Sequence, residues 1–145
     1  MNNNIPFPER ILCFLLRYIG GVSMLALIAV CMPYSWMDAI HRWLGLGSLP
    51  ASPVVGYLAR SLSLFYALLG GLLVRLSFNP SRFRPVLMYL GAAFVVFGAA
   101  TWRVDFAEGL PPFWKCGEGP IDIFYGALIL WLTSRLSPAT PGGSK

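Results

Sequence analysis

Four long apolar stretches fill most of this chain, and they constrain its fold more than any other feature. They cover about residues 11–32, 54–74, 86–102 and 120–136. A helix of about 20 residues crosses a hydrocarbon core about 30 Å thick. Where water is absent, each segment must satisfy its own backbone hydrogen bonds, so the stretches are predicted to be helices. The sequence therefore predicts an all-α membrane protein, an antiparallel bundle of four transmembrane helices.

The composition leaves little room for a soluble domain. Of 145 residues, 57% are hydrophobic and only 12% are charged, whereas a soluble surface needs about twice that charge. We predict a single membrane domain over residues 1–136 and a disordered tail over 137–145, which is rich in Pro, Gly, Ser and Thr. The fourth stretch is the shortest, at roughly 25 Å.

The charged residues predict the orientation of the chain. With the N-terminus in the cytoplasm, seven basic residues lie inside (Arg10, Arg17, Arg75, Arg82, Arg84, Arg135, Lys145) and three lie outside (Arg42, Arg103, Lys115). This follows the positive-inside rule and predicts a multi-pass membrane protein with both termini inside. Orientation explains the net charge of +5 better than nucleic acid does, and no nucleic-acid motif is present.

The loop between the first two stretches has an amphipathic pattern. Ser35 can cap a short helix, and an apolar face follows at helical spacing, formed by Trp36, Ile40, Trp43 and Leu44. We expect this short helix to lie in the outer membrane interface, where tryptophan is favoured.

Small and polar residues form one stripe on each predicted span, and such stripes mark helix contacts in membranes. The second span carries Gly56, Arg60, Ser63, Ala67, Gly70 and Val74; the third, Gly91, Gly98, Thr101 and Asp105; the fourth, Asp122, Gly126 and Thr133. On the first span the corresponding stripe is Arg17, Gly21, Met24, Ile28 and Cys31.

These stripes define a candidate intramembrane polar site made of Arg60, Ser63, Asp105 and Asp122. An unpaired arginine costs about 2.5 kcal/mol or more at the bilayer centre and less near the surface. We therefore expect Arg60 to pair with Asp105 or Asp122. The pair either holds three helices together or forms part of a site for an anion, a lipid headgroup or a quinone carbonyl.

Secondary candidates lie on the outer face: His41, Asp38 and Glu118. His41 and Asp38 could form an acid–imidazole pair, but a solvated polar face explains them as well. A metal site could use His41, Glu118, Asp122 and Cys116, yet their spacing matches no metal motif, so no metal and no cofactor are predicted. No Cys-x-x-Cys pair occurs. Cys31 and Cys116 could form a disulfide or remain thiols.

The segment His41-Arg42-Trp43-Leu44-Gly45-Leu46-Gly47, with Arg60-Ser61-Leu62-Ser63-Leu64-Phe65-Tyr66-Ala67 and Glu118-Gly119-Pro120, resembles a group of small uncharacterised bacterial four-helix membrane proteins. The resemblance implies a four-span inner-membrane protein. It implies no known activity, and no site residues are transferred from it. Small multidrug exporters have a similar length, but they place a glutamate in the first span, where this chain has only Arg17.

The polar and charged residues of the spans favour some functions over others. No nucleophile arrangement or mid-span carboxylate pair is present, which favours a non-enzymatic membrane protein, an accessory or assembly subunit of a complex or a homo-oligomer. The alternative is a small transporter or lipid- or anion-binding protein using Arg60. A membrane enzyme using His41 and outer carboxylates is the third hypothesis.

Overall fold

The structure, a computed structural model, describes residues 6–136, and within that range its regular secondary structure is helical, with no strands. Seven helices follow one another: α1 (Phe7–Met24), α2 (Leu27–Cys31), α3 (Tyr34–Trp43), α4 (Pro53–Leu76), α5 (Arg84–Ala107), α6 (Pro112–Lys115) and α7 (Glu118–Ser134). The predicted all-α class is confirmed. The predicted disordered tail, 137–145, lies outside the described residues.

Three of the predicted spans are helices long and apolar enough to cross a membrane. They are Phe7–Cys31, which comprises α1 and α2, together with α4 and α5. A short turn at Leu25 and Ala26 separates α1 from α2, where the amides of both residues bond to carbonyls three positions back. The fourth predicted span corresponds to α7, whose 17 residues extend about 25 Å.

The starts of α5 and α3 are formed differently. Pro85 occupies the first turn of α5, because its fixed φ suits that position and its missing N–H costs nothing there. The predicted cap by Ser35 is wrong: α3 begins at Tyr34, so Ser35 lies inside the helix, and Pro33, two residues before it, is at the capping position without a side-chain cap.

The described residues divide into two compact units, one of residues 16–75 and the other of residues 6–15 and 76–136. In the first unit, α4 packs antiparallel to α1 through Gly70 and Gly20. A Cβ atom at Gly70 would lie 2.5 Å from the carbonyl oxygen of Gly20, and one at Gly20 would lie 2.6 Å from the carbonyl oxygen of Gly70. No side chain fits between these backbones.

The buried face of α1 differs from the predicted stripe. Its buried residues are Leu12, Leu15, Leu16, Ile19 and Gly20, whereas Arg17 and Gly21 are exposed. A Cβ atom at Gly21 would meet nothing within 4 Å. The prediction for α1 was wrong by one position, because two adjacent glycines leave the contacting one undetermined by spacing alone.

In the second unit, α5 and α7 are antiparallel and touch at two glycine pairs. A Cβ atom at Gly126 would lie 2.7 Å from the carbonyl oxygen of Gly91, and one at Gly98 would lie 2.7 Å from the carbonyl oxygen of Gly119. On each helix the two contacting glycines are seven residues apart, so the two contacts are separated by about two helical turns. The predicted stripes of α5 and α7 therefore face one another.

Candidate functional site

Arg60 lies on α4 and bonds to backbone carbonyls of its own unit. Its Nε donates to the carbonyl oxygen of Val30 at 3.1 Å, and Nη2 donates to that of Met32 at 3.1 Å. Nη1 donates to the carbonyl oxygen of Gly56 at 3.4 Å, one turn earlier on α4. The last carbonyls of a helix lack intrahelical partners. The guanidinium supplies partners at the end of α2.

The neighbours of Arg60 on α4 make room for this contact. Gly56 is buried, and a Cβ atom there would lie 3.0 Å from Nη1 of Arg60. Ser63 donates its hydroxyl hydrogen to the carbonyl oxygen of Ala59, one turn earlier on its own helix, at 2.8 Å. The predicted stripe on α4 is thus a packing face towards α1 and α2, with Arg60 at one end and Gly70 further along.

The two predicted acidic partners belong to the other unit. Asp105 is only 4% exposed, and one of its carboxylate oxygens is buried without a hydrogen-bond partner among the described residues. Asp122 is half-buried on α7, where its Cβ atom faces Gly98 of α5. The predicted pairing of Arg60 with Asp105 or Asp122 joins two units and stays a prediction.

The segment from Tyr34 to Pro50 folds back on itself, and we call it the outer clasp. Tyr34 donates its hydroxyl hydrogen to the carbonyl oxygens of Leu49 and Pro50, at 2.8 and 2.6 Å. The carboxylate of Asp38 accepts the amide of Leu49 at 2.8 Å and pairs with Arg42 at 2.6 Å. Both bonds favour the charged form and hold the pKa of Asp38 below its ordinary value.

His41 completes the outer clasp. Its Nδ1 lies 3.0 Å from the carbonyl oxygen of Gly47, so this nitrogen carries the proton and donates it. The reversal of the chain uses Gly45 and Gly47, whose φ angles are 74° and 81°, a region that residues with a Cβ atom rarely adopt. The polar face of α3 therefore holds the return loop, a role that the sequence pattern did not reveal.

The apolar face of α3 is left outside the clasp. Trp36, Ile40 and Trp43 are exposed, Trp43 by 83%. With Leu27, Ile28, Cys31, Met32 and Pro33, Trp36 lines a shallow apolar groove of about 500 Å³. This face has the composition of an interfacial anchor.

The remaining outer candidates do not form a chemical centre. Glu118 accepts the indole N–H of Trp114 at 2.6 Å and begins α7. Within residues 6–136, no three His, Cys, Asp or Glu side chains are grouped to hold a metal. All three cysteines are thiols, and Cys31 and Cys116 are exposed.

Comparisons with protein-family models, curated proteins and solved structures find no match. The function must be argued from the contacts described above.

Proposed function

We propose that the chain is a non-enzymatic, four-span protein of the bacterial inner membrane, with both termini in the cytoplasm, that acts as an accessory or assembly subunit or as a homo-oligomer. The observation that carries this proposal is the double glycine contact between α5 and α7. Because no side chains separate α7 from α5 at these contacts, we expect the two helices to insert into the bilayer together. This supports α7 as the fourth crossing despite its length.

The contacts of Arg60 support a structural role over catalysis or transport. Each of its three nitrogens donates to a backbone carbonyl of the same unit. A guanidinium occupied in this way stabilises the junction between α2 and α4. The alternative is a transporter or a lipid- or anion-binding protein built around Arg60. It requires the guanidinium to break its hydrogen bonds to these carbonyls and to bind a ligand instead.

A second small-residue face on α5 supports the subunit role. Three of the six residues that line a shallow apolar groove of about 600 Å³ are alanines; the lining residues are Tyr89, Ala92, Ala93, Val96, Phe97 and Ala100. Small residues let a neighbouring helix approach closely in a membrane. We propose that a helix of a membrane partner or of a second copy packs here.

Native mass spectrometry of the full chain, extracted from its own membrane in mild detergent, tests the subunit role. We expect a complex or an oligomer, and we expect Ala92→Leu with Ala100→Leu to dissociate it, since leucine fills the groove. Leu62→Ala with Leu68→Ala, at exposed positions of α4, is the control. Recovery of the wild-type chain only as a monomer would overturn the proposal.

A further inference from the structure

One end of the α5–α7 pair is strongly basic. Arg82 and Arg84 lie where α5 begins, Arg135 follows the end of α7, and Arg10 lies in the first turn of α1. The acids of the pair and its connecting segment lie towards the other end: Asp105, Glu108, Glu118 and Asp122. Since α5 has 24 residues, its two ends are roughly 36 Å apart.

Two contacts bring the arginines to one surface. Nε of Arg84 donates to the carbonyl oxygen of Thr133 at 3.3 Å, which ties the start of α5 to the end of α7. The hydroxyl of Ser81 donates to the carboxylate of Glu9 at 3.3 Å, which places the start of α1 beside the turn before α5. We call the surface formed by Arg10, Arg82, Arg84 and Arg135 the basic end.

The charges of the basic end are largely uncompensated. Four arginines lie at this end, and Glu9 is the one acid that the described contacts place beside them. Arg135 lies over the ring of Trp131 at 5.4 Å, and Arg82 lies over Phe83 at 5.9 Å. A guanidinium that lies over a ring can still donate the N–H groups at its edge to a second partner, such as a phosphate.

The surroundings of the basic end indicate a lipid as the source of that phosphate. Trp131 is 53% exposed and Phe78 is 65% exposed, so an apolar surface continues from the arginines. Tryptophan beside basic residues is typical of the headgroup level of a membrane. A free anion would use the arginines but not the apolar surface.

We propose that the basic end is a binding site for the headgroup phosphate of an anionic phospholipid, with Arg82 and Arg135 as its contacts. The inference rests on the proposed membrane function and adds a lipid class to it. Phosphatidylglycerol and phosphatidylcholine both contain a phosphate, but only the first has net negative charge. Charge complementarity therefore predicts selective retention of phosphatidylglycerol.

Native mass spectrometry with equal amounts of the two lipids tests the site. We expect the full-length wild-type chain to retain phosphatidylglycerol preferentially. Each removed arginine should lower the preference about fivefold, the value expected for one basic residue at an anionic surface. Arg82→Gln with Arg135→Gln should lower it about 25-fold, and Arg82→Lys with Arg135→Lys, which keeps the charge, should retain more of it.

The opposite end of the same helix provides a matched control. Arg103 is exposed near the end of α5, and Lys115 lies over the ring of Phe106 at 5.1 Å. Arg103→Gln with Lys115→Gln removes two charges and one cation–π contact, and we expect the lipid preference to remain. An equal loss in this control, or equal retention of both lipids by the wild-type chain, would overturn the site.

Two further measurements separate the possible failures. Millimolar inorganic phosphate should leave the bound lipid in place, and displacement would show a free-anion site instead. Alkaline extraction of membranes reports insertion independently of lipid choice. A chain that stays in the membrane but shows no lipid preference overturns this inference alone, whereas a chain that is released overturns the proposed membrane function as well.

Discussion

Nε of Arg60 lies 3.1 Å from the carbonyl oxygen of Val30, a residue thirty positions earlier in the chain. With the bond from Nη2 to Met32, this contact fixes the end of α2 against α4. The arginine thereby satisfies carbonyls that would otherwise remain without partners in an apolar environment. The charge of Arg60 has a structural explanation within its own unit.

Arg60→Gln is expected to destabilise the protein by about 2–4 kcal/mol, because two carbonyls lose charged donors worth about 1.5–3 kcal/mol each and glutamine replaces them only in part. The stability of Arg60→Lys should lie between that of the wild-type chain and that of Arg60→Gln, since one ammonium cannot reproduce the planar fork of the guanidinium. Thermal unfolding in detergent measures both. Arg103→Gln, at an exposed arginine, is the control, and a normal midpoint for Arg60→Gln would contradict the structural role.

The predicted pairing of Arg60 with Asp122 can be tested by exchanging the charges. If the two groups meet, Arg60→Asp and Asp122→Arg should each lower the level of folded protein, and the double variant should restore it. The level of folded, membrane-inserted chain, measured by size-exclusion chromatography, reports the outcome. Single variants that both accumulate normally would refute the pairing, and Asp105→Arg in place of Asp122→Arg tests the other partner.

The glycine contact between α1 and α4 predicts a sharp difference between neighbours. Gly70→Ala places a methyl group 2.5 Å from the carbonyl oxygen of Gly20, so the helices must separate, at a cost of about 1–3 kcal/mol. Gly71→Ala meets nothing within 4 Å and should be neutral or stabilising by up to about 1 kcal/mol, because alanine favours the helix. Thermal midpoints of the two variants provide the comparison. Gly20→Ala and Gly21→Ala repeat it on α1, and equal midpoints within each pair would contradict the packing.

The outer clasp is expected to open in acid. The pKa of Asp38 lies below its ordinary value of 3.8, because the charged form accepts the Leu49 amide and pairs with Arg42. A lowered pKa in the folded state means that this stabilisation is complete above the ordinary value and is lost as the pH falls through the lowered one. The protection factor of the Leu49 amide, which compares its hydrogen exchange with that of an unstructured amide at the same pH, should fall below about pH 4. In Asp38→Asn the protection should already be low at neutral pH and show no such transition.

The sequence predicted the helices better than the contacts that hold them. The lengths of the hydrophobic stretches located every long helix. The contacting glycine of α1 was assigned wrongly, since Gly20 and Gly21 are both compatible with a helical stripe. The outer clasp was missed because its bonds join side chains of α3 to backbone groups six to sixteen residues away. Such bonds depend on the path of the loop, which no periodicity in the sequence encodes.

The proposed fourth crossing by α7 predicts from which side of the membrane each end of the α5–α7 pair is accessible. In a background with Cys13, Cys31 and Cys116 replaced by serine, Glu108→Cys should react with a membrane-impermeant maleimide added outside intact cells. Ser134→Cys should react only after the cells are opened, because α7 returns the chain to the cytoplasm. Labelling of both positions from outside would show that α7 stays at the outer surface and that three helices cross. The double glycine contact with α5 makes that outcome costly, since α7 would have to lose its backbone contact at both Gly91 and Gly98.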